Sequence, residues 1–421
     1  MTAKVNANGN LNHEKRDSMN ERLVGTVVYG VRAPIINQGD DIAKISADCI
    51  LKCHEAGVFE VRDRDVFTLT ESVVARAQGN YISVDDIRRD AQHKFNQGEK
   101  IEHLGVVFPI LSRNRFSMIL KGLAQASKKV TVQLSYPSDE VGNHIITPEE
   151  LAEKGVNPYT DVFTYDEWIE LFGHNEHQFT GINYLDYYSE IVTGEGAEVE
   201  IILANQVSGI VNHTDHILLS DIHSRSLNEK ALQRLDQPDL KVLTLANILN
   251  EPSQEHGYNE TYGLLGSNKA SETTLKLFPR DNQQVVDAIQ AYVKEALGKT
   301  IEVMVYGDGA FKDPVGKIWE LADPVVSPAF TEGLAGRPNE LKLKYLVDNE
   351  YADLSEADQR LAVQQAIQNK QAIQDSMVSE GTTPRQIPDL IGSLSDLVSG
   401  SGDKGTPFVY IQGYFDNFTS N

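Results

Sequence analysis

The residues with the most chemistry in this chain are Gly307-Asp308-Gly309 and the nearby Asp313-Pro314. The run before them, residues 301–306, is apolar apart from Glu302 and predicts a buried strand. Two glycines let the backbone turn sharply at the strand tip and approach a ligand, with one carboxylate presented there. Asp313-Pro314 and Asp323-Pro324 add acids on turns. Hard carboxylate oxygens at such a tip suit a divalent cation, and the turn amides suit phosphate. A plain turn acid carries the same signature.

Ser399-Gly400-Ser401-Gly402-Asp403-Lys404-Gly405-Thr406-Pro407 precedes a predicted strand over 408–411. The order GxxxxGK[ST] is absent and a strand follows, so this is not a P-loop. Its amides can still cradle phosphates with Lys404 as a point charge, although such composition also makes linkers. A predicted strand over 66–70 runs directly into a helix over 71–78, stopped by Gly79. That junction favours an anion near Glu71 and Ser72, with Arg76 one turn on. The glycine-rich stretch 257–269, which contains Asn268, reads as a loop able to wrap a ligand.

Two further clusters have alternative readings. Ser112-Arg113-Asn114-Arg115 either grips a substrate carboxylate or is a pair of surface arginines. His213, His216 and His223, with Asp215 and Asp221 between them, are metal-ligand types but match no standard zinc spacing. The competing reading is ordinary hydrogen-bonded histidines. No G-x-S-x-G elbow, strand-following dinucleotide fingerprint or H-E-x-x-H is present.

The elements that must position these groups are mixed. Strands are expected over 24–31, 66–70, 105–110, 130–134, 199–204, 275–278, 301–306 and 408–411. Helices are expected from Asp40 or Asp41 to Gly57, and over 71–78, 116–127, 282–297 and 355–377. Ser83 with Asp86 three residues on predicts a capped helix start. The fold class expected is α/β (mixed α+β), with mixed sheets and a two-part core drawn from both chain ends. The expected divisions are a loose tail over 1–20, core segments over 21–100 and 251–421, and an inserted lobe over 101–250.

The chain has 421 residues, enough for more than one domain. Its net charge of −23 argues against a broad nucleic-acid or anionic-membrane face. Cys49 and Cys53 form no Cys-x-x-Cys and read as core packing in a reducing compartment. The polar first twenty residues do not read as a signal peptide, and no apolar run is long enough to span a bilayer. A cytoplasmic protein is expected.

These segments, taken in order, resemble the coenzyme F-420 gamma-glutamyl ligases. That family's Leu-Pro-Leu-Ile-type turn and Gly-Asp-capped helix resemble Ala33-Pro34-Ile35-Ile36 with Gly39-Asp40-Asp41. Its Ser-Lys-Ile-Val-Ser-Lys-Ala-Glu-Gly resembles residues 71–79, and its Ala-Gly-Val-Asp-x-Ser-Asn resembles residues 262–268. Its Asp-Thr-x-Gly-Arg turn is similar to Asp308 onward, and its Met-Gly-Gln-Ala-x-Glu-Gly-x-Pro loop to residues 399–407.

The resemblance implies addition of L-glutamate to a carboxylate acceptor through an amide bond, driven by GTP (or ATP) with Mg²⁺ or Mn²⁺. The nucleotide would phosphorylate the acceptor carboxylate, and the glutamate amine would displace the phosphate. It implies nucleotide contacts at Ala33, Pro34, Ile35, Ile36, Glu71, Ser72, Arg76 and Asn268. The loop Ser399, Gly400, Ser401, Gly402, Asp403 and Lys404 completes that set. Metal is expected at Asp308 and Asp313, catalytic roles at Asp308, Lys404 and Arg76, and a homodimer as the assembly.

The chain also departs from the pattern. Leu265 stands where the family has a metal-binding Asp, Gly309 where it has Thr, Ser401 where it has Gln, and Arg76 where it has Lys. Leucine offers no oxygen to a hard cation. The alternatives are therefore a non-catalytic nucleotide or small-anion binding protein on the same fold, or a different metal-dependent enzyme built on His213, His216, His223 and Arg225.

Overall fold

The computed structural model describes residues 24–177, 180–235, 237–307, 310–312, 319–321, 328–370, 386–400 and 402–420. Four sheets organise them. The first interleaves the two ends of the chain. Strands β1 (Val27–Val31) and β16 (Phe408–Gln412) pair antiparallel, and β16 pairs antiparallel with β2 (Val66–Thr70). Next to β2 runs β12 (Glu302–Tyr306), in parallel, and β15 (Ala329–Phe330) closes the edge antiparallel.

β12 is buried along its whole length because both faces of this sheet are covered. Val303 and Val305 face one core, packed with helix α1 (Ile42–Glu55) and the Asn282–Leu297 helix. Met304 and Tyr306 face the other, with Ile391 of the Ile387–Val398 helix and Leu334. The strand's two-residue period divides its side chains between these cores.

The second large sheet has the order β6-β7-β5-β4-β8-β9. Its members are β4 (Ile101–Val107), β5 (Ser127–Leu134), β6 (Phe163–Thr164), β7 (Glu198–Leu203), β8 (His216–Leu219) and β9 (Lys241–Thr244). All neighbours are parallel except β6 against β7. After β4 the chain builds outward through β5 and β7, then returns to the other side of β4 with β8 and β9. That is a doubly wound arrangement with its reversal at β4 and β8. A third, small sheet joins β10 (Asn268–Lys269), β11 (Thr274–Lys276) and β3 (Tyr81–Ser83). A backbone hairpin pairs β13 (Ala310–Lys312) with β14 (Trp319–Leu321).

Local signals account for the helix ends. Asp41 caps α1 by accepting from the Lys44 amide at 2.9 Å. Helix α2 (Glu71–Gln78) follows β2 without a break and stops at Gly79, whose φ of 63° is the left-handed conformation glycine tolerates. Ser83 and Asp86 form the expected capping box of α3 (Val84–Asn96). Helix α4 (Arg115–Ala126) packs on α3. The helix expected over 355–377 spans Glu356–Gln368 instead and is capped at Asn369. Residues 371–385 lie outside the described residues.

Candidate functional site

β2 and β12 run parallel, so Thr70 and Tyr306 end side by side at one edge of the first sheet. Ligands of parallel strands gather at such carboxyl ends. A cleft of about 690 Å³ opens there. Thr70, Glu71 and Ser72 form one wall, where β2 becomes α2. Asp396, Ser399 and Gly400 form a second, from the end of the Ile387–Val398 helix. The β10–β11 hairpin supplies residues 268–272 and Lys276, and Asn114 at the start of α4 completes the rim.

Four sequence regions far apart thus converge on one site. Of the residues expected to hold a ligand, Glu71, Ser72, Asn268, Ser399 and Gly400 line the cleft. Asp308, Asp313, Gly309 and Ser401 lie outside the described residues. Gly307, the last described residue before Asp308, backs directly onto Glu71. A Cβ placed on Gly307 would stand 3.2 Å from the Glu71 carboxyl carbon.

The other expected contacts stand outside the cleft's lining. The Ala33 amide donates to Gly405 O at 3.1 Å, tying the 33–36 turn to the far end of the Ser399–Pro407 loop. Arg76 Nε donates to Ile36 O at 2.5 Å, so this guanidinium braces the turn from α2. Pro34 belongs to the same turn, and Ile35 is 84% exposed. Lys404 Nζ donates to Val398 O at 2.6 Å, satisfying a terminal carbonyl of the preceding helix. Gly400 and Thr406 exchange amide hydrogen bonds, and the Gly405 amide donates to Gly402 O, so the loop folds on itself around Asp403.

Glu71 is the buried acid of the site, at 9% exposure. Burial pushes its carboxyl above the ordinary glutamate value, and the positive charge of Lys276 pulls it back. Lys276 Nζ donates to Ser72 Oγ. Thr70 Oγ1 is buried and has no hydrogen-bond partner among the described residues. Glu272, Lys276 and Asp396 are the charged lining residues that sequence reasoning missed. Lys276 sits on a three-residue strand, and only tertiary pairing of β11 with β3 brings it to the start of α2. Asp396 lies one turn before the glycine-rich loop, which was its only available signal.

A metal cage is not evident in this donor set. Among the described residues no three His, Cys, Asp or Glu side chains group closely enough to hold an ion. Leu265, at the family's acidic position, is 2% exposed within the apolar core, and Gly266 beside it packs against the Phe278 ring. The histidines of the second sheet do not converge either. His213 Nδ1 meets Glu200 Oε1 at 3.1 Å, and His216 Nδ1 meets Asp215 at 2.9 Å. The His223 amide donates to Glu140 at 2.9 Å. Burial works to raise the Glu200 carboxyl, yet hydrogen bonds from Lys129 and Thr131 with the His213 charge hold it at about 2. Of the 112–115 stretch, Asn114 reaches the cleft, and Arg115 is buried rather than a surface arginine.

Among the described residues no helix is long and apolar enough to cross a membrane. No curated protein matches this chain. Solved structures overlap it slightly, two of them as follows. eIF2B beta from Chaetomium thermophilum aligns at 10% identity and TM-score 0.22, over 55% of this chain and 61% of that one. The tetrameric eIF2B-beta2-delta2 complex from C. thermophilum aligns at 12% identity and TM-score 0.22, over 51% and 60%. Likeness at that level carries no argument. The sequence model of the family F420-0:Gamma-glutamyl ligase, by contrast, matches residues 30–413, nearly the whole chain. The protein therefore belongs to the F420-0:gamma-glutamyl ligase family.

Proposed function

We propose that this protein is a nucleotide-dependent amide ligase that joins L-glutamate to a carboxylate acceptor, with GTP or ATP as the phosphoryl donor. The observation that carries this reading is the cleft itself. Thr70–Ser72, the β10–β11 hairpin and Asp396–Gly400 meet at the carboxyl ends of two parallel strands, in a chain that belongs to a ligase family. Polar walls of both signs suit charged small molecules.

In this reading the Ser399–Gly400 wall and Asn268 face the nucleotide phosphates. The Ala33–Ile36 turn, braced by Arg76, fixes the outer edge of that wall through Gly405. Lys404 holds the loop in shape through the Val398 carbonyl, which makes it a positioning residue. Mg²⁺ or Mn²⁺ on Asp308 and Asp313 would neutralise phosphate charge, and Leu265 cannot contribute to such a site. Residues 101–250 are read as an inserted lobe on a core made by 21–100 and 251–421. A cytoplasmic homodimer is the assembly proposed.

The buried Leu265 favours one rival, a binding protein that keeps the cleft without turnover. Incubation with GTP or ATP, Mg²⁺ or Mn²⁺, L-glutamate and a panel of carboxylate acceptors separates the two. The ligase reading expects an acceptor mass gain of one glutamyl unit. Nucleotide binding without any such product supports the rival.

A further inference from the structure

The β10–β11 hairpin brings a cation to a place that already suits an anion. Leu275 and Leu277 turn into the apolar core of the second sheet, so Lys276 between them turns the other way, onto the cleft. Asn268 is its direct partner across the hairpin, and cross-strand partners present their side chains on one face. The hairpin wall therefore offers an amide and an ammonium side by side. Lys276 Nζ donates to Ser72 Oγ in the first turn of α2. The positive end of that helix lies at the same turn, and Thr70 before it makes no side-chain cap bond.

The charge of Lys276 is not spare. It acts on the buried Glu71, on which Asp396 acts with a second negative charge. A bare polyphosphate would meet repulsion from both carboxylates. Its divalent cation, placed on Asp308 in the proposed function, offsets that repulsion. An ammonium has three N–H donors, so it can hold a hydroxyl and a phosphate oxygen together. Ser72 and Asn268, the groups that flank Lys276, are both expected nucleotide contacts, and phosphate is the anion that reaches all three.

We propose that Lys276 is a phosphate-binding residue of the nucleotide site, delivered to the start of α2 by a neighbouring strand. The inference rests on the ligase reading and adds to its nucleotide contacts without moving any of them. It also gives the nucleotide a second effect. Leu275 and Leu277 hold the hairpin in one core, whereas Val73 and Val74 hold α2 in another. A phosphate gripped by Lys276 and by the first turn of α2 fastens these two cores across the cleft.

Calorimetric titration of the full chain with GTP or ATP in Mg²⁺, and separately with L-glutamate, tests this. Lys276→Met is expected to weaken nucleotide binding about tenfold or more, and Lys276→Arg about threefold or less. Ser72→Lys combined with Lys276→Ser returns an ammonium to the same corner from the helix side and should recover most of the lost affinity. Urea unfolding checks that each variant is folded. In wild type, amine acetylation read by mass spectrometry should label Lys276 less when nucleotide and Mg²⁺ are bound, and no less with L-glutamate alone. Unchanged nucleotide affinity in Lys276→Met, or protection of Lys276 by L-glutamate alone, overturns the inference and leaves the ligase reading intact. So does a folded exchange variant that binds nucleotide as weakly as Lys276→Met. Nucleotide binding that depends on Lys276, in a protein that forms no glutamyl product, supports the inference and contradicts the ligase reading. Binding of neither GTP nor ATP contradicts both.

Discussion

Lys276 donates its ammonium to the hydroxyl of Ser72, two residues 204 positions apart in the chain. The bond fastens the β10–β11 hairpin to the start of α2 and sets a cation beside the buried Glu71. Ser72→Ala removes the acceptor while leaving the helix in place. The expected result is a loss of about 1.5 kcal/mol in urea unfolding, the net worth of a hydrogen bond to a charged group. Combined with Lys276→Met, the pair should be non-additive by about 1 kcal/mol in a double-mutant cycle on urea unfolding. Additive effects would mean that the two side chains do not act together.

The first sheet is locked at the end away from the cleft by a buried carboxylate. Asp65, 2% exposed, accepts from Tyr410 Oη at 2.8 Å and from the amides of Arg62 at 3.0 Å and Gly413 at 3.1 Å. Asp65→Ala strands those donors and should cost about 3 kcal/mol in urea unfolding. Tyr410→Phe leaves the two amide bonds and should cost about 1 kcal/mol. A smaller loss for Asp65→Ala than for Tyr410→Phe would contradict this account of the lock.

Stability should also depend on pH through Asp221. Its carboxyl is fully buried, and burial, with repulsion from Glu140, raises it from 3.8 to about 6. One oxygen accepts from Ser224 and Asn228, while Oδ1 has no hydrogen-bond partner among the described residues. Because the folded-state value lies above the unfolded one, the folded chain holds the proton more tightly. The contribution is complete below about pH 4 and is lost as pH rises through about 6. Asp221→Asn mimics the protonated form. It should remove this slope and stabilise the protein at pH 8 by up to about 3 kcal/mol, with no gain at pH 4. Chemical denaturation of both proteins across that range checks the sign, and a variant less stable than wild type at pH 8 would contradict it.

Much of the fold was legible because its signals are local. Asp41, the Ser83–Asp86 box, Gly79 and Gly298 mark helix ends at the expected places, since capping involves neighbours within one turn. The polar helix was expected to be longer than Glu356–Gln368 because its weak periodicity gave no clear stop before Asn369. The site was legible in part. Glu71 and Ser72 were readable from a strand running into a helix, and Ser399 and Gly400 from a glycine-rich loop. Lys276 was not, because nothing around a short strand says which helix its side chain will meet. Lys404 could be read as a phosphate ligand or as a helix cap, since a lysine after a Gly/Ser loop serves either role. Its bond to Val398 O gives it a capping role in the folded chain.

The central claim is that this cleft couples nucleotide cleavage to glutamate addition, with Asp308 required. The most direct measurement is phosphate release from GTP or ATP, with Mg²⁺ or Mn²⁺ and an acceptor that gains a glutamyl unit, as L-glutamate is varied, in wild type and in Asp308→Asn. The account predicts release that rises and saturates with glutamate in wild type, and falls by about a hundredfold or more in Asp308→Asn. Release that ignores glutamate, or that survives the Asp308 substitution unchanged, would contradict it.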